Sequence, residues 1–226
     1  MSDPGQQIYG IKEVSLLELL EKVQKILADG LNSLGGKSPA TPEAHYLSWA
    51  AVFVNRAVDG YLHLRKSGRV HASKLLVRPA LEAIFSGMAV IKKPGFLFQK
   101  AYSEWLEDKK LFVNDEGGEA EANLALDNLK RAFKKKFPNY SPKCKKVNVR
   151  DAAEAAGLTN NYEAYKVYCQ FTHGAMRTVF GNLDRQTDNI DTKTVIWCAL
   201  IMLDQLKEKT PAQVPDLTPF KKELIS

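Results

Sequence analysis

The stretch ASKLLVRPALEAIFSGMAVI, residues 72–91, decides the fold that the sequence predicts. It is apolar almost all the way round, and a helix without a polar face must be enclosed by other elements. Arg78 and Glu82 are four residues apart, so their side chains are expected to meet on one helix face. Because burying an ion pair is costly, this pair is expected to lock a polar network or to line a site. Alternatively, Arg78 braces carbonyls that are freed by Pro79.

Apolar residues recur at helical spacing along the rest of the chain, and alternating strand patterns are absent. We therefore predict an all-α protein: a single helical bundle of about six to eight helices over residues 1–210, followed by a Pro-punctuated C-terminal tail at residues 211–226. The spacing predicts helices at residues 14–34, 42–67, 72–91, 95–112, 119–137, 151–156, 162–179 and 192–207.

Composition excludes several classes of protein. The 226 residues are 45% hydrophobic and 26% charged, which is typical of a globular domain. The longest apolar run contains two charges and is shorter than a membrane span, and the first ten residues do not resemble a signal peptide. A cytoplasmic protein without membrane contact is expected. Three scattered cysteines and four histidines, without CxxC or HExxH spacing, predict no metal and no disulfide framework. Nucleotide-binding and hydrolase motifs are also absent, so no cofactor is expected.

Positive charge is concentrated in residues 128–150, which carry nine Lys or Arg residues and no Asp or Glu. Phe133, Phe137 and Tyr140 are interleaved with them, and basic groups with aromatics suit a phosphate backbone with unstacked bases. The alternative is a solvated helix end and loop that balances the acidic residues 115–121. The candidate nucleic-acid-binding residues are Lys130, Arg131, Lys134, Lys135, Lys136, Lys143, Lys145, Lys146 and Arg150.

The segment YKVYCQFTHG, residues 165–174, places Tyr165, Cys169 and His173 on one helix face, with Tyr168 beside them. A histidine can act as general acid or base, and tyrosine hydroxyls can orient it. The alternative is a half-buried histidine among core tyrosines.

Two weaker patterns remain open. Arg56 and His63 share a helix face and form a second candidate pair, or an ordinary surface feature. The segment DAAEAAGLTNNYEAY, residues 151–165, is typical of a helix-turn-helix or of a plain glycine cap.

The run from residue 56 to 83, followed later by YKVYCQFTHG, resembles a widespread group of uncharacterised bacterial all-helical proteins over about residues 45–180. Their pattern is an arginine, a Leu-x-x-x-Gly helix end, a small residue, Leu-x-Arg-Pro/Ser-x-x-Glu, and later a Tyr-x-x-x-(Ser/Cys)-x-x-x-His helix. These motifs fall here on Arg56, Leu64, Gly68, Ala72, Leu76, Arg78, Pro79, Glu82, Tyr165, Cys169 and His173.

That group is similar in layout to the HEPN superfamily, in which many members are dimeric, metal-independent ribonucleases of toxin–antitoxin and phage-defence systems. The resemblance implies an RNA-directed homodimer in which the RNA 2′-hydroxyl is the nucleophile and His173 moves a proton. Arg78 or Arg56 would stabilise phosphoryl charge, Glu82 would orient the arginine, and Tyr168 would belong to the catalytic set. The alternative is a non-catalytic helical module that binds nucleic acid or a protein partner.

Overall fold

The structure is a computed structural model that describes residues 4–35, 37, 39–111, 116–136, 138, 146–172 and 185–225. No strand occurs in these ranges, which confirms the all-α prediction. None of the helices in them is both long and apolar enough to span a bilayer. In chain order the helices are α1 (Pro4–Asn32), α2 (Pro42–Lys66), α3 (Val70–Lys74), α4 (Val77–Lys92), α5 (Phe96–Leu111), α6 (Glu116–Lys136), α7 (Val149–Ala155), α8 (Thr159–Thr172), α9 (Arg185–Lys209) and α10 (Thr218–Ile225).

Residues 72–91 belong to two helices, α3 and α4. The prediction of one continuous helix over these residues is wrong. Pro79 has no backbone N–H, and its ring clashes with the carbonyl four residues earlier in a continuous helix. That carbonyl belongs to Leu75, where α3 stops. After the break Pro79 lies in the first turn of α4, where a missing N–H costs nothing.

The core is a bundle of α1, α2, α4 and α9, which contribute most of the buried apolar side chains. α2 and α4 run antiparallel and approach closely. A Cβ on Gly87 would lie 3.2 Å from the Cβ of Ala50, and a Cβ on Gly60 would lie 2.9 Å from Leu76 Cδ1. These two contacts set the register of the helix pair, and the absent side chains allow it.

Helix ends follow local capping signals where the sequence supplies them. The Thr41 hydroxyl accepts a hydrogen bond from the Ala44 N–H at 3.1 Å, and Pro42 occupies the first position of α2. Gly68 follows α2 with φ +73°, a conformation that favours glycine. Asn148 and Asp151 form a capping box at the start of α7.

The remaining helices pack around the bundle. α7 and α8 cover α4, α5 leads away from α4, and α6 packs along α5 as the second arm of a helical hairpin. The C-terminal segment after residue 210 folds back on the bundle. Leu217 is buried and Phe220 and Leu224 pack against the core, with α10 contacting α1 and α9. The structure therefore has two helices, α3 and α4, where one was predicted, and a further helix, α10, after the last predicted span.

Candidate functional site

The ion pair expected from the four-residue spacing in the opening stretch is present on α4. Arg78 Nε donates to Glu82 Oε1 at 2.9 Å. Tyr165 of α8 donates its hydroxyl hydrogen to the same oxygen at 2.7 Å, and the Arg78 guanidinium carbon lies 5.8 Å from the centre of the Tyr165 ring. We call Arg78, Glu82 and Tyr165 the open triad. It joins residues that are 83 positions apart in the chain.

The open triad is neither fully buried nor fully solvated. The Arg78 and Glu82 side chains are 26% and 36% exposed. The hydrogen bond to Glu82 raises the pKa of Arg78, and burial raises the pKa of Tyr165, helped by hydrogen bonds with Cys169 and Glu82. Arg78 is therefore a permanent cation and Tyr165 a permanent hydroxyl donor at physiological pH.

A groove lies between α2 and α4 and is flanked by α5. Its volume is about 260 Å³. Trp49 and Phe53 of α2 are 50% and 40% exposed, which is unusual for large aromatic side chains. Glu82 also lines it, so one member of the open triad forms part of its wall. We call this the aromatic groove; its lining residues are Tyr46, Trp49, Ala50, Phe53, Pro79, Glu82, Ala83, Ser86, Lys100 and Glu104.

The aromatic side chains of α2 form a continuous ladder along the groove. The ring centres of Tyr46 and Trp49 are 5.5 Å apart, and those of Trp49 and Phe53 are 4.3 Å apart. Burial and the nearby charge of Glu104 raise the pKa of Tyr46 to about 12, and a hydrogen bond with Ser86 opposes this shift in part. Tyr46 is thus held in place at the first position of the ladder, and the exposed rings of Trp49 and Phe53 are available to a ligand.

Arg56 lies on the same face of α2 as Trp49 and Phe53, because it follows them by seven and three residues. Its side chain is exposed. The α2–α4 register pairs Ala50 with Gly87 and Gly60 with Leu76, so Arg56 lies at about the level of Pro79. Arg56 therefore shares the α2 face of the exposed rings, and Arg78 precedes Pro79 on α4, but neither arginine is among the residues that line the groove. His63 is exposed further along α2.

Tyr168 takes part in a different cluster, which we call the buried network and define as Lys74, Asp191 and Tyr168. The Lys74 side chain is fully buried, and its Nζ lies 3.2 Å from Asp191 Oδ2. The Tyr168 hydroxyl donates to Asp191 Oδ1 at 2.7 Å, and burial, followed by the Asp191 charge, raises its pKa. Tyr168 thus acts as an internal donor in the core and does not line the aromatic groove.

A second buried polar contact borders this network. The hydroxyl oxygens of Tyr61 on α2 and Thr192 on α9 are 2.9 Å apart, and both side chains are buried. The Arg65 side chain is also buried, with its guanidinium carbon 6.0 Å from the centre of the Tyr61 ring. Polar groups from α2, α3, α8 and α9 therefore meet at one end of the bundle.

The basic segment is divided between paired and exposed residues. Lys136 bonds Glu43 at 2.6 Å, Lys146 bonds Glu107 at 2.6 Å and Arg150 bonds Glu154 at 2.9 Å, while Lys130 lies 3.5 Å from Asp127. Arg131, Lys134 and Lys135 are exposed, and we call these three the basic face of α6. Lys143 and Lys145 lie outside the described residues.

The expectation that Phe133 is available for base stacking is wrong. Phe133 is buried and packs against Phe98 of α5, with their ring centres 4.5 Å apart. Its apolar ring holds α6 on α5, and among the residues that the structure describes the exposed aromatic rings are Trp49 and Phe53 of α2. Phe137 and Tyr140 lie outside the described residues.

The segment at residues 151–165 forms α7, a turn and the start of α8. Gly157 has φ +68°, and Lys92 donates to the carbonyl of Ala156 at 2.8 Å. Ala152, Ala153 and Ala156 are buried in the core. The geometry is that of a glycine-capped helix packed on the bundle, which favours the capping interpretation over a DNA-reading helix.

His173 lies outside the described residues, which reach Thr172 at the end of α8. Within the described ranges no three His, Cys, Asp or Glu side chains are grouped to hold a metal ion. The open triad and the aromatic groove supply a cation, a carboxylate acceptor, hydroxyl groups and aromatic rings.

Fold and site together define an all-helical protein with an aromatic groove, whose wall includes the glutamate of an Arg–Glu–Tyr cluster. The chain belongs to DUF5677, a family of unknown function, whose model matches residues 45–190. A family of unknown function was expected, and this match confirms that much; it spans the groove, the open triad and Tyr168. Comparison with curated proteins gave no match, and comparison with solved structures gave none.

Proposed function

We propose that this protein binds single-stranded RNA, with one or more bases in the aromatic groove. The observation that carries the proposal is the pair of half-exposed rings, Trp49 and Phe53, above a wall that contains Glu82. Exposed aromatic rings in a groove are the usual platform for unpaired bases, because every base has a stacking face. A groove of about 260 Å³ suits one flat ring system and excludes a duplex.

The charge distribution supports the same ligand. The C-terminal end of α6 is tied to the start of α2 by the Lys136–Glu43 ion pair, and Glu43 is one turn before Tyr46. The C-terminal end of α6 is therefore near the start of α2, and the basic face of α6 is on the solvent side of that helix, away from the buried Phe133. Cations at this position would contact the phosphates that flank a stacked base. The net charge of +6 adds a general attraction for nucleic acid.

Substitution of Trp49 by alanine tests the stacking platform. We expect Trp49→Ala to weaken binding of a single-stranded oligonucleotide by about 1–3 kcal/mol, roughly 5- to 150-fold, because one base loses its stacking partner. Trp49→Phe retains an aromatic face and should bind nearly as well as the original protein. Fluorescence anisotropy with a labelled single-stranded RNA that contains all four bases measures both. Equal affinity of Trp49→Ala and the original chain would remove the groove from RNA binding.

Charge reversal on α6 tests the phosphate contact separately. Lys134→Glu combined with Lys135→Glu should weaken RNA binding across all sequences and reduce the slope of log K against log salt by about two. Lys136 is left unchanged because it pairs with Glu43. The matched control reverses Lys22 and Lys25, two exposed lysines of α1. If both double variants lose affinity equally, the effect is net charge and the basic face has no special role.

The RNA-directed proposal also has a catalytic form, which rests on the HEPN resemblance. In it the protein is a homodimeric, metal-independent endoribonuclease of a toxin or phage-defence system. His173 is the proton-transfer group and Arg78 stabilises the developing phosphoryl charge, with Glu82 and Tyr165 fixing the arginine. The partial exposure of Arg78 beside the groove favours this role. Without cleavage, the protein is a binding module with the same groove.

A further inference from the structure

We propose that the aromatic groove prefers guanine among the four RNA bases, through the Oε2 oxygen of Glu82. This inference rests on the proposed RNA-binding function and names the ligand of the same groove. It follows from the way in which the Glu82 carboxylate is bonded.

The two hydrogen bonds to Glu82 both use one oxygen. Arg78 Nε and the Tyr165 hydroxyl donate to Oε1, at 2.9 Å and 2.7 Å. In the part of the chain that the structure describes, Oε2 accepts no hydrogen bond. An ionised carboxylate oxygen is a pure acceptor with capacity for two donors. Arg78 and Tyr165 thus hold the group from one side, and the second oxygen is left for a ligand in the groove that Glu82 lines.

A base that stacks on Trp49 or Phe53 presents an edge to the α4 wall, and the four bases differ at this edge. Guanine carries two adjacent donors, N1–H and the N2 amino group, and both can point at one carboxylate. Adenine and cytosine place a single amino group beside a ring-nitrogen acceptor. Uracil places one N–H between two carbonyl oxygens, which a carboxylate repels. Single-stranded RNA is read along this edge once the base is unstacked.

The next turn of α4 offers a complementary group. Ser86 lines the groove four residues after Glu82, on the same face of the helix. Side chains at this spacing are about 5–6 Å apart, close to the distance between opposite ends of a base edge. The Ser86 hydroxyl also bonds with Tyr46; when it accepts the Tyr46 hydrogen, its own hydrogen can be donated to the guanine O6 oxygen while Glu82 accepts from N1 and N2. The Glu82 acceptor followed by the Ser86 donor thus complements the edge of guanine, whereas the carboxylate faces a carbonyl oxygen of uracil.

The test uses a labelled U-rich RNA oligonucleotide in which one central position is G, A, C, U or inosine. We expect the G-containing RNA to bind about tenfold or more tightly than the all-U RNA, and inosine, which lacks the N2 amino group, to be intermediate. Glu82→Gln should reduce the G-to-U affinity ratio to near one, because its amide puts a donor opposite guanine donors. Ser86→Ala should reduce the ratio in part.

The matched control is Glu154→Gln. Glu154 is held by Arg150 four residues away at 2.9 Å, as Glu82 is held by Arg78, but it lies on α7 outside the groove. It should leave the G-to-U ratio unchanged. Equal binding of G and U oligonucleotides that still depends on Trp49 would overturn the guanine preference and keep RNA binding. Absence of RNA binding in the original protein would overturn the proposed function as well.

Discussion

Replacement of Asp191 by alanine is expected to lower the free energy of unfolding by about 3–5 kcal/mol, the usual cost of removing one partner of a buried ion pair. Lys74 is fully buried, and the substitution removes the carboxylate that lies 3.2 Å from its ammonium group. It also removes the acceptor of the buried Tyr168 hydroxyl. Chemical denaturation followed by circular dichroism measures the difference, provided that the slope with denaturant is unchanged.

A compensated variant shows whether the loss comes from the charge or from the lost packing. Lys74→Met, Asp191→Leu and Tyr168→Phe together replace the network with apolar groups of similar size, and such replacements are often neutral. We expect the triple variant to recover most of the stability that Asp191→Ala loses. Substitutions at surface sites usually change the free energy of unfolding by ~0.5 kcal/mol or less. If the free energies of unfolding of Asp191→Ala and of the original chain differ by less than about 1 kcal/mol, the ion pair does not hold α3, α8 and α9 together.

The helices were predictable where a local signal sets them. Thr41 and Pro42 mark the start of α2, and Gly68 follows its end, so the predicted span of residues 42–67 agrees with Pro42–Lys66. The break between α3 and α4 was not predicted, because Pro79 can kink, end or begin a helix. Tertiary packing decides among these outcomes. In the folded chain Leu76 packs against Gly60 directly before the first residue of α4.

The candidate site was predictable only in part. Arg78 and Glu82 meet as their spacing requires, since a four-residue interval is a local property of any helix. The third member is Tyr165, which the sequence placed on the face of Cys169, whereas the candidate catalytic set named Tyr168, three residues later on α8. Which tyrosine faces α4 depends on the rotation of α8, and periodicity alone does not fix it.

The groove itself was missed because exposed and buried aromatics look alike in a sequence. Trp49 and Phe53 repeat at helical spacing, which is typical of a core stripe. The available signal was an excess of apolar residues on α2. A full buried stripe runs through Leu47, Val54, Val58 and Tyr61, so the aromatic residues form a second stripe that the bundle does not cover.

The buried network was also missed, although Lys74 lies at the start of the stretch that decides the fold. Lys74 comes directly before the longest apolar run, Leu75–Ile91, and a lysine near a helix end is normally solvated. Its partner Asp191 is 117 residues away and lies in the first turns of α9. The Lys74–Asp191 pair is therefore not visible in the local sequence, and it becomes apparent when α3 packs near α9.

The two polar clusters share their helices, which connects stability to the site. Lys74 and Arg78 are four residues apart across the α3–α4 break, and Tyr168 and Tyr165 are three apart on α8. The buried network joins α3 and α8 through Asp191 of α9, and the open triad joins α8 to α4 about one turn away. A loss of the network should therefore disturb the position of Arg78 before it unfolds the chain.

The catalytic form of the proposal predicts that the purified protein cleaves single-stranded RNA in the presence of EDTA. Attack of the 2′-hydroxyl on the adjacent phosphorus breaks the bond to the 5′-oxygen and leaves a 2′,3′-cyclic phosphate. The hydroxyl must lose a proton and the 5′-oxygen must gain one, which is the work of a general acid–base group. His173→Ala should therefore lower the cleavage rate by about 10²- to 10⁴-fold, while RNA affinity stays unchanged.

Two controls make the assignment of His173 specific. A 2′-deoxy nucleotide at the cleaved position removes the nucleophile and should abolish cleavage by the original protein, even though the RNA still binds. His63→Ala removes an exposed histidine of α2, which also lies near an arginine in the chain, and should leave the rate unchanged. Loss of cleavage in His63→Ala alone would transfer the proton-transfer role to the Arg56–His63 pair. Binding without cleavage in the original protein would leave a groove that selects RNA and performs no chemistry on it, because stacking and hydrogen bonding need no proton transfer.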